Sequence, residues 1–556
     1  MAIDTAEKRK SISGISLPFF APGVTPNASK DQEWRQESAW SYSGILAGGL
    51  VTFTWSWALE AYISAAWVDI TDDVLTHDHP TVISRGINGN SITDRVASVG
   101  SLTTTLDNSS TNSAAKDGYY SLGHANQRTN FGRDTRVRLK FTFNGSPYYK
   151  WHGWIRNLEP LPNRFGKRES YLSAVDFMQK LIEHKISGIP VQENQRFDQL
   201  IQTVLDNMSD APLNTSLEVG TYSTPLALTS EQDEKSTAMS VIQKICESFL
   251  LYVFVKGNTT DGETLVAQSE KARYTAESAF TLDNTMSAIQ FNTDPDHIKN
   301  RILGSIFPAR VDEGAETLLA ELTDDYPLDA GDTKSLDLRF RDPLGASNRI
   351  SGKDIVTTLI EDTHYRMSAF QDTELGDMNS LLGISLTAGS NSASVSVTNN
   401  GGVRGFINRI RVYGNGIYLY DAVGVEVSNG SGDKVTSYDF HYLQDHYRAR
   451  DYLTVLLRRT SSDILQVDRV MFYADFNATF MGYAMNYDIG SRITLKEYMT
   501  GLNADFTINH VMYTLETNGT LRVEYIPEAA ESVVFFTVQD PTLGELDNAA
   551  NLLAPF

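Results

Sequence analysis

Two imidazoles and a carboxylate stand together at His77-Asp78-His79, the grouping in this chain that most invites a metal ion, because neutral histidine is the commonest metal ligand. Pro80 follows at once, and no Cys/His pair stands at a zinc-like spacing elsewhere, so the triplet reads as a surface loop. The sequence has no His-Glu-x-x-His, no Gly-x-Ser-x-Gly and no phosphate-binding P-loop, which removes the zinc-protease, serine-hydrolase and NTPase readings. Carboxylates are abundant, and spacing alone admits a general acid and base for cutting cell-wall glycan. The elements described below leave no stretch for such a module. The expectation is a protein that is not an enzyme and uses no cofactor and no metal. Cys246, the single cysteine, cannot form an intrachain disulfide and sits beside Ile245 on a helix face as a small core residue.

The elements that would position any site are mostly strands. From Arg136 to Phe143, Val137, Leu139, Phe141 and Phe143 alternate with Arg136, Arg138, Lys140 and Thr142, the period-two signature of a strand with one buried face. Asn144-Gly145 tolerates the positive φ angles of a tight hairpin turn, and Tyr149, Trp151, Gly153 and Ile155 begin the returning strand. A third strand near Glu169 to Val175 runs into a short helix carrying Phe177, Met178, Leu181 and Ile182. A weaker copy of this pattern lies at Ile489-Gly490-Ser491-Arg492-Ile493-Thr494-Leu495, followed by Gly501 and Asp505 to Val511. These motifs resemble the barrel of bacteriophage tail-hub and tail-tip proteins, which is related to the tail-tube fold. The resemblance rests on the Gly-Arg-x-x-Arg-Val-Arg-Leu opening at 132–139, the Asn-Gly hairpin, the aromatic-Gly-Trp-Ile strand and the Ala-Val-Asp-Phe strand end, and extends as short motifs over about two thirds of the chain.

With 556 residues, the chain should hold about three to five domains. A hydrophobic share of 41% argues for folded structure throughout. The expected class is mainly β with some α (α+β), multidomain, with two tail-tube-like antiparallel β-barrels. The chain divides into an extended N-terminal arm (1–43), a first barrel (44–184), an α+β middle domain (185–290), the start of a second barrel (291–329), a β-rich insertion (330–435), the remainder of that barrel (436–530) and a C-terminal tail (531–556). Gly44 to Leu59 is uncharged, but it is shorter than the ~20 residues a membrane helix needs, and it reads as a strand. The loop from Ser109 to Asn130 is polar and reads as an exposed excursion. Phe197, Leu200, Ile201, Val204, Leu205 and Met208 mark an amphipathic helix, and a second runs from Ser236 through Phe249. Arg301 to Phe307 would be the first strand of the second barrel, and Asp445 to Arg458 a helix with Tyr447, Tyr452, Leu453, Leu456 and Leu457 as its apolar stripe.

What the resemblance implies is a virion structural protein at the tail tip or baseplate, made in the host cytoplasm, joining the tube to receptor-binding or fibre proteins and lining or gating the DNA channel. A net charge of −22 argues against tight nucleic-acid affinity, which comes from Lys and Arg neutralising phosphates, and suits a lumen that DNA must cross without sticking. Partners would be further copies of the chain, a trimer before a hexamer, and the tube, distal-tail and fibre proteins. Trp34, Trp40 and Tyr42 in the arm are the interface candidates, too apolar for an extended segment in water. The alternatives are a distal-tail adaptor ring, a host-surface adhesin recognising glycan through Tyr413, Tyr418 and Tyr420 in the insertion, and, last, a cell-wall hydrolase.

Overall fold

A computed structural model describes residues 39–46, 49–89, 91–162, 168–186, 188–229, 236–257, 262–292, 298–312, 316–322, 324–340, 348–371, 375–430, 434–461 and 466–530, with side chains from Phe53 onward. The N-terminal arm up to residue 38, with Trp34, lies outside the described residues, as do the side chains of Trp40 and Tyr42 and the tail 531–556.

The chain is mainly β with some α, and one large sheet organises it. Its first strands are β1 (Ala39–Leu46), β2 (Gly49–Ile63), β3 (Ala66–Asp69), β4 (Thr81–Gly86), β5 (Ser98–Asp107), β6 (Arg136–Phe143), β7 (Ser146–Pro162) and β8 (Arg168–Val175). The middle of the chain adds helices α1 (Met178–Glu183), α2 (Phe197–Asp206) and α3 (Ala238–Phe249), the paired strands β9 (Leu251–Lys256) and β10 (Thr264–Ser269), helix α4 (Glu270–Thr275) and strand β11 (Ala288–Asn292). Beyond these come β12 (Arg301–Ile306), α5 (His446–Ser461), β13 (Gln466–Tyr473), α6 (Ala478–Asn486), β14 (Arg492–Glu497), β15 (Leu502–Leu515) and β16 (Leu521–Ala529). The large sheet has 14 strands in the order β1-β2-β6-β7-β8-β5-β4-β15-β16-β13-β11, with β3 on β2, β14 on β15, and the two-residue strand Thr281–Leu282 on β14.

Local sequence explains the hairpins. Asn144 and Gly145 both take positive φ (48° and 81°), which matches the twist of the strands that they join. Val137, Leu139, Phe141, Trp151 and Ile155 are buried in one core together with Leu172, Val511, Tyr513 and Val523, so both ends of the chain bury their alternating residues on the same side of one sheet. Two barrels were expected; among the described residues no sheet closes, and the two motif regions join edge to edge where β4 pairs antiparallel with β15, from Thr81↔Leu515 to Gly86↔His510. Gly86 makes the join possible: at φ +125° a Cβ would sit 2.3 Å from the Asn509 carbonyl oxygen.

Four further expectations need correction. Gly44 to Leu59 is not one strand but parts of the β1–β2 hairpin, so pairing begins at Ala39. The strand Arg301–Ile306 does not open a second barrel: β12 lies between Val423–Ser428 and Val435–Phe440 in a separate three-stranded sheet, covered by α5, while β11 takes the edge of the large sheet. The Ser109–Asn130 loop is anchored, with Tyr120 fully buried and its hydroxyl donating to Asp73 at 2.5 Å and accepting from Arg128 at 2.9 Å. A polar loop hides one aromatic anchor when buried polar partners satisfy its hydroxyl. Tyr447 and Ile182, assigned to apolar stripes, are exposed because they sit in terminal turns of α5 and α1.

Helices α2 and α3 are amphipathic, as their spacing requires, and pack together with Cys246 buried in α3. The region 309–419 forms a third core around Gly405–Leu419, which pairs with five short strands, and a three-stranded sheet centred on Ser392–Asn399. Among the described residues no helix is long and apolar enough to cross a membrane.

Candidate assembly surfaces

The face of the large sheet opposite the core can be traced by register, because directly paired residues point to the same side. One row runs from Arg136 through Trp154, Val175, Ser101 and Ser84 to Met512 and Glu524. At each end of the sheet a carboxylate on this face is held between two cations. Glu60 receives Arg138 Nε at 2.5 Å and Lys140 Nζ, and Glu524 receives Arg469 Nη1 at 2.9 Å and Arg522 Nη2 at 3.3 Å. Burial alone would raise the Glu60 carboxyl; the bonds from Lys140 and Arg138 overcome it and hold the group below its usual range.

The two lateral edges of the sheet are unoccupied by any described strand: β1 pairs only with β2, and β11 only with β13. An edge strand presents a row of backbone donors and acceptors to whatever chain lies alongside.

Where the sheet meets the middle of the chain, charges are buried. Arg95 donates to Glu270 at 2.7 Å, Arg459 pairs with Glu270 at 3.2 Å and with Glu528, and Arg273 reaches Glu528 at 3.2 Å and Asn509 at 2.6 Å. Tyr274 adds a hydrogen bond to Glu270 at 2.6 Å, and the Arg273 guanidinium stacks 3.4 Å from the Tyr252 ring centre. Burial alone would raise the Glu270 carboxyl, but Arg95 and Arg459 bring it down to about 2. These residues come from the loop before β5, from β9 and α4, from the end of α5, and from the β15–β16 hairpin, so the junction ties four separate stretches of chain to one point. A second seam lies beside it: Arg85 donates to Asp488 at 2.6 Å and to the carbonyls of Lys150 and Val255. Burial lowers the neighbouring Lys150 amine to about 8, and burial raises the Asp176 carboxyl to about 7. Nothing in the sequence marks these pairs, which lie up to 403 residues apart. The arrangement holds elements together.

His77 is exposed and 3.5 Å from Asp78, while His79 turns away to Glu169 at 3.0 Å. Among the described residues no three His, Cys, Asp or Glu side chains are grouped to hold a metal ion. Trp40 and Tyr42 fall on β1, opposite Trp55 and Phe53. Tyr413 and Tyr418 are half-buried on the strand Gly405–Leu419, Tyr413 edge-on to His364, while Tyr420 is exposed beyond its end. At ~3.3 Å per residue, Tyr413 stands about 17 Å from Tyr418, so the three tyrosines are not one cluster.

No family model matches the chain, and no curated protein matches it in sequence. Solved structures do. The 43 kDa tail protein of prophage MuSo2 from Shewanella oneidensis aligns over 85% of this chain and 98% of its own, at 9% identity and a TM-score of 0.44. A tail protein from Neisseria meningitidis aligns over 85% and 96%, at 8% identity and a TM-score of 0.45. An Escherichia coli component of the type VI secretion system aligns over 83% and 74%, at 8% identity and a TM-score of 0.33. The structural neighbours of this chain are thus phage tail proteins and a secretion-system component that is itself structurally similar to T4 bacteriophage tail proteins.

Proposed function

We propose that this chain is a hub at the tip or baseplate of a phage tail, a structural protein whose copies close into a ring around the path of the DNA. The observation that carries the reading is the 14-stranded sheet in which, among the described residues, no strand pairs with the outer side of β1 or of β11. The β1 edge of one copy and the β11 edge of the next are different surfaces, and a repeated contact between unlike surfaces generates a ring when its rotation closes. The motif repeat supports three copies: 132–139 and 490–495 lie in one sheet, so a trimer presents six similar segments to a six-fold tube above. Residues 1–38, with Trp34, reach a neighbouring tail component in this reading, and the DNA passes without specific binding. Mass measurement of the purified assembly tests it: a trimer of 61.7 kDa chains is expected, and a hexamer or a stable monomer overturns it. Removing residues 1–38 should leave a folded chain that fails to enter tails; an unfolded product would assign the arm to the chain's own core.

A further inference from the structure

The strand Gly405–Leu419 sets the shape of the 309–419 region. Its Leu419 end is a stalk: the Tyr420 N–H donates to the Pro308 carbonyl at 2.9 Å, and the chain that leaves β12 at Ile306 comes back to pair with that residue at Val423. Its Gly405 end lies about 45 Å away, at ~3.3 Å per residue. There Phe406 pairs with Pro327 on one side and with Ser368 on the other, so three strands about 10 Å across make a narrow tip.

The tip presents apolar side chains on a fixed backbone. Phe370, Leu375 and Val403 are 60%, 70% and 62% exposed, and Leu381 is 37% exposed. The Ala369 N–H donates to the Gly376 carbonyl at 2.8 Å beneath Phe370 and Leu375, the Asn399 side-chain amide donates to the Val403 carbonyl at 2.9 Å, and the Asn400 N–H donates to the Leu381 carbonyl at 2.8 Å. A surface fixed in this way has less freedom to lose on binding. Carboxylates stand at the same end. Asp329 pairs with Arg404, the neighbour of Val403; Asp325 accepts from Asn408 at 2.9 Å, and the Asn408 amide oxygen lies 2.5 Å from the Ser368 hydroxyl, itself 2.7 Å from the Phe370 carbonyl. The segments 324–334, 375–381 and 399–406 together carry five aspartates against one lysine and one arginine.

We propose that this tip is a docking surface for a different protein, one whose contact patch has an apolar centre flanked by lysines. The inference needs the chain to sit among other tail proteins, as the reading above has it, and does not need the ring or its copy number. Charge selects the occupant: an apolar patch beside surplus carboxylates is matched by an apolar patch beside ammonium groups, and the pairing suppresses other partners. Two tips of this chain set against each other would place aspartates against aspartates in a self-paired contact. An anionic membrane surface meets the same repulsion. The ring contact joins the β1 and β11 edges, which lie on the other sheet, so the tip stays open in either oligomer.

Carbodiimide joins a carboxylate to a lysine amine only where the two are in contact, and its use on intact tail particles tests the chemistry directly. Peptide mass should find Asp324, Asp325 or Asp329 joined to lysines of another tail protein; no such joint, or joints only between copies of this chain, overturns the proposal. The double variant F370S/V403S should keep the melting midpoint of the wild type, since both side chains already touch solvent, and bind tails that lack the chain roughly thirtyfold more weakly, as loss of a hot-spot residue does. Wild-type binding by that variant overturns the tip. So does binding of the wild type to vesicles of anionic lipid that the variant abolishes, which would make the occupant a membrane. The two readings fail separately: a monomer or hexamer in solution defeats the trimeric ring and leaves the tip in place, while tails that contain the chain without those joints defeat the tip alone.

Discussion

The two ends of the large sheet hold a carboxylate in the same way and bury its partners differently. At the β2–β6 end, Glu60 and Arg138 are nearly inaccessible, and the guanidinium lies 4.1 Å from the Trp67 ring centre and 4.5 Å from that of Tyr149. At the β13–β16 end, Glu524 is equally buried, but its partners are open, with the Arg469 side chain 45% exposed and that of Arg522 30%. The first triplet is a pin whose charges depend on each other. The second is a carboxylate whose cations can turn to water or to a neighbour, so the same pairing is structural at one end and available at the other.

Glu60→Gln should cost about 3–5 kcal/mol, because it leaves Arg138 buried without its counter-charge. Urea denaturation measures it, and a loss under 1 kcal/mol would erase the distinction between the ends. Glu524→Gln should cost about 1 kcal/mol, since exposed guanidiniums recover hydration. Repeating both titrations in 1 M salt sharpens the contrast: screening should shrink the Glu524 effect and leave the Glu60 effect in place.

A pH-dependent effect should come from the seam between these ends. Asp176 titrates at about 7 in the fold, raised by burial, against an ordinary carboxyl near 4, so the folded chain holds a proton that the unfolded chain has lost. Its contribution is complete below about pH 4 and is lost as pH rises to about 7. Asp176→Asn, which keeps an acceptor for the Met178 N–H, should remove that fall, and its advantage over wild type should grow from pH 4 to 7 and then level off. Lys150, lowered to about 8, works in the opposite sense, with stability rising between about pH 8 and 10.5. The smallest effect belongs to the β14–β15 hairpin: Tyr498→Ser should change stability by less than about 0.5 kcal/mol, since the side chain touches solvent. A larger loss would mean that the ring packs against its own chain.

Local chemistry made much of this fold legible. The Asn144-Gly145 turn, the alternation of β6, and the helical spacing from Phe197 to Leu205 and from Ile242 to Phe249 each follow from a few neighbouring residues. Partner choice was not legible. Arg301–Ile306 alternates well enough for any sheet, and nothing within it says that it pairs with 423–428 and 435–440 rather than with β13. The junction of Arg95, Glu270, Arg459 and Glu528 was invisible for the same reason, because a charged residue looks solvent-exposed until a distant partner neutralises it. Tyr120 shows the converse: one aromatic in a polar loop gives no period to read.

The pairing of β4 with β15 joins residues more than 420 positions apart. During synthesis at ~5–20 residues per second, β4 waits on the order of 20 to 90 seconds for its partner. Over that interval the nascent chain presents an unprotected strand, and contacts of such long sequence separation are slow to form even once the chain is complete. Fully made chains, rather than fragments ending before β15, are therefore the first species able to bury that edge, which makes premature termination a route to aggregation and gives chaperones a defined target on this protein.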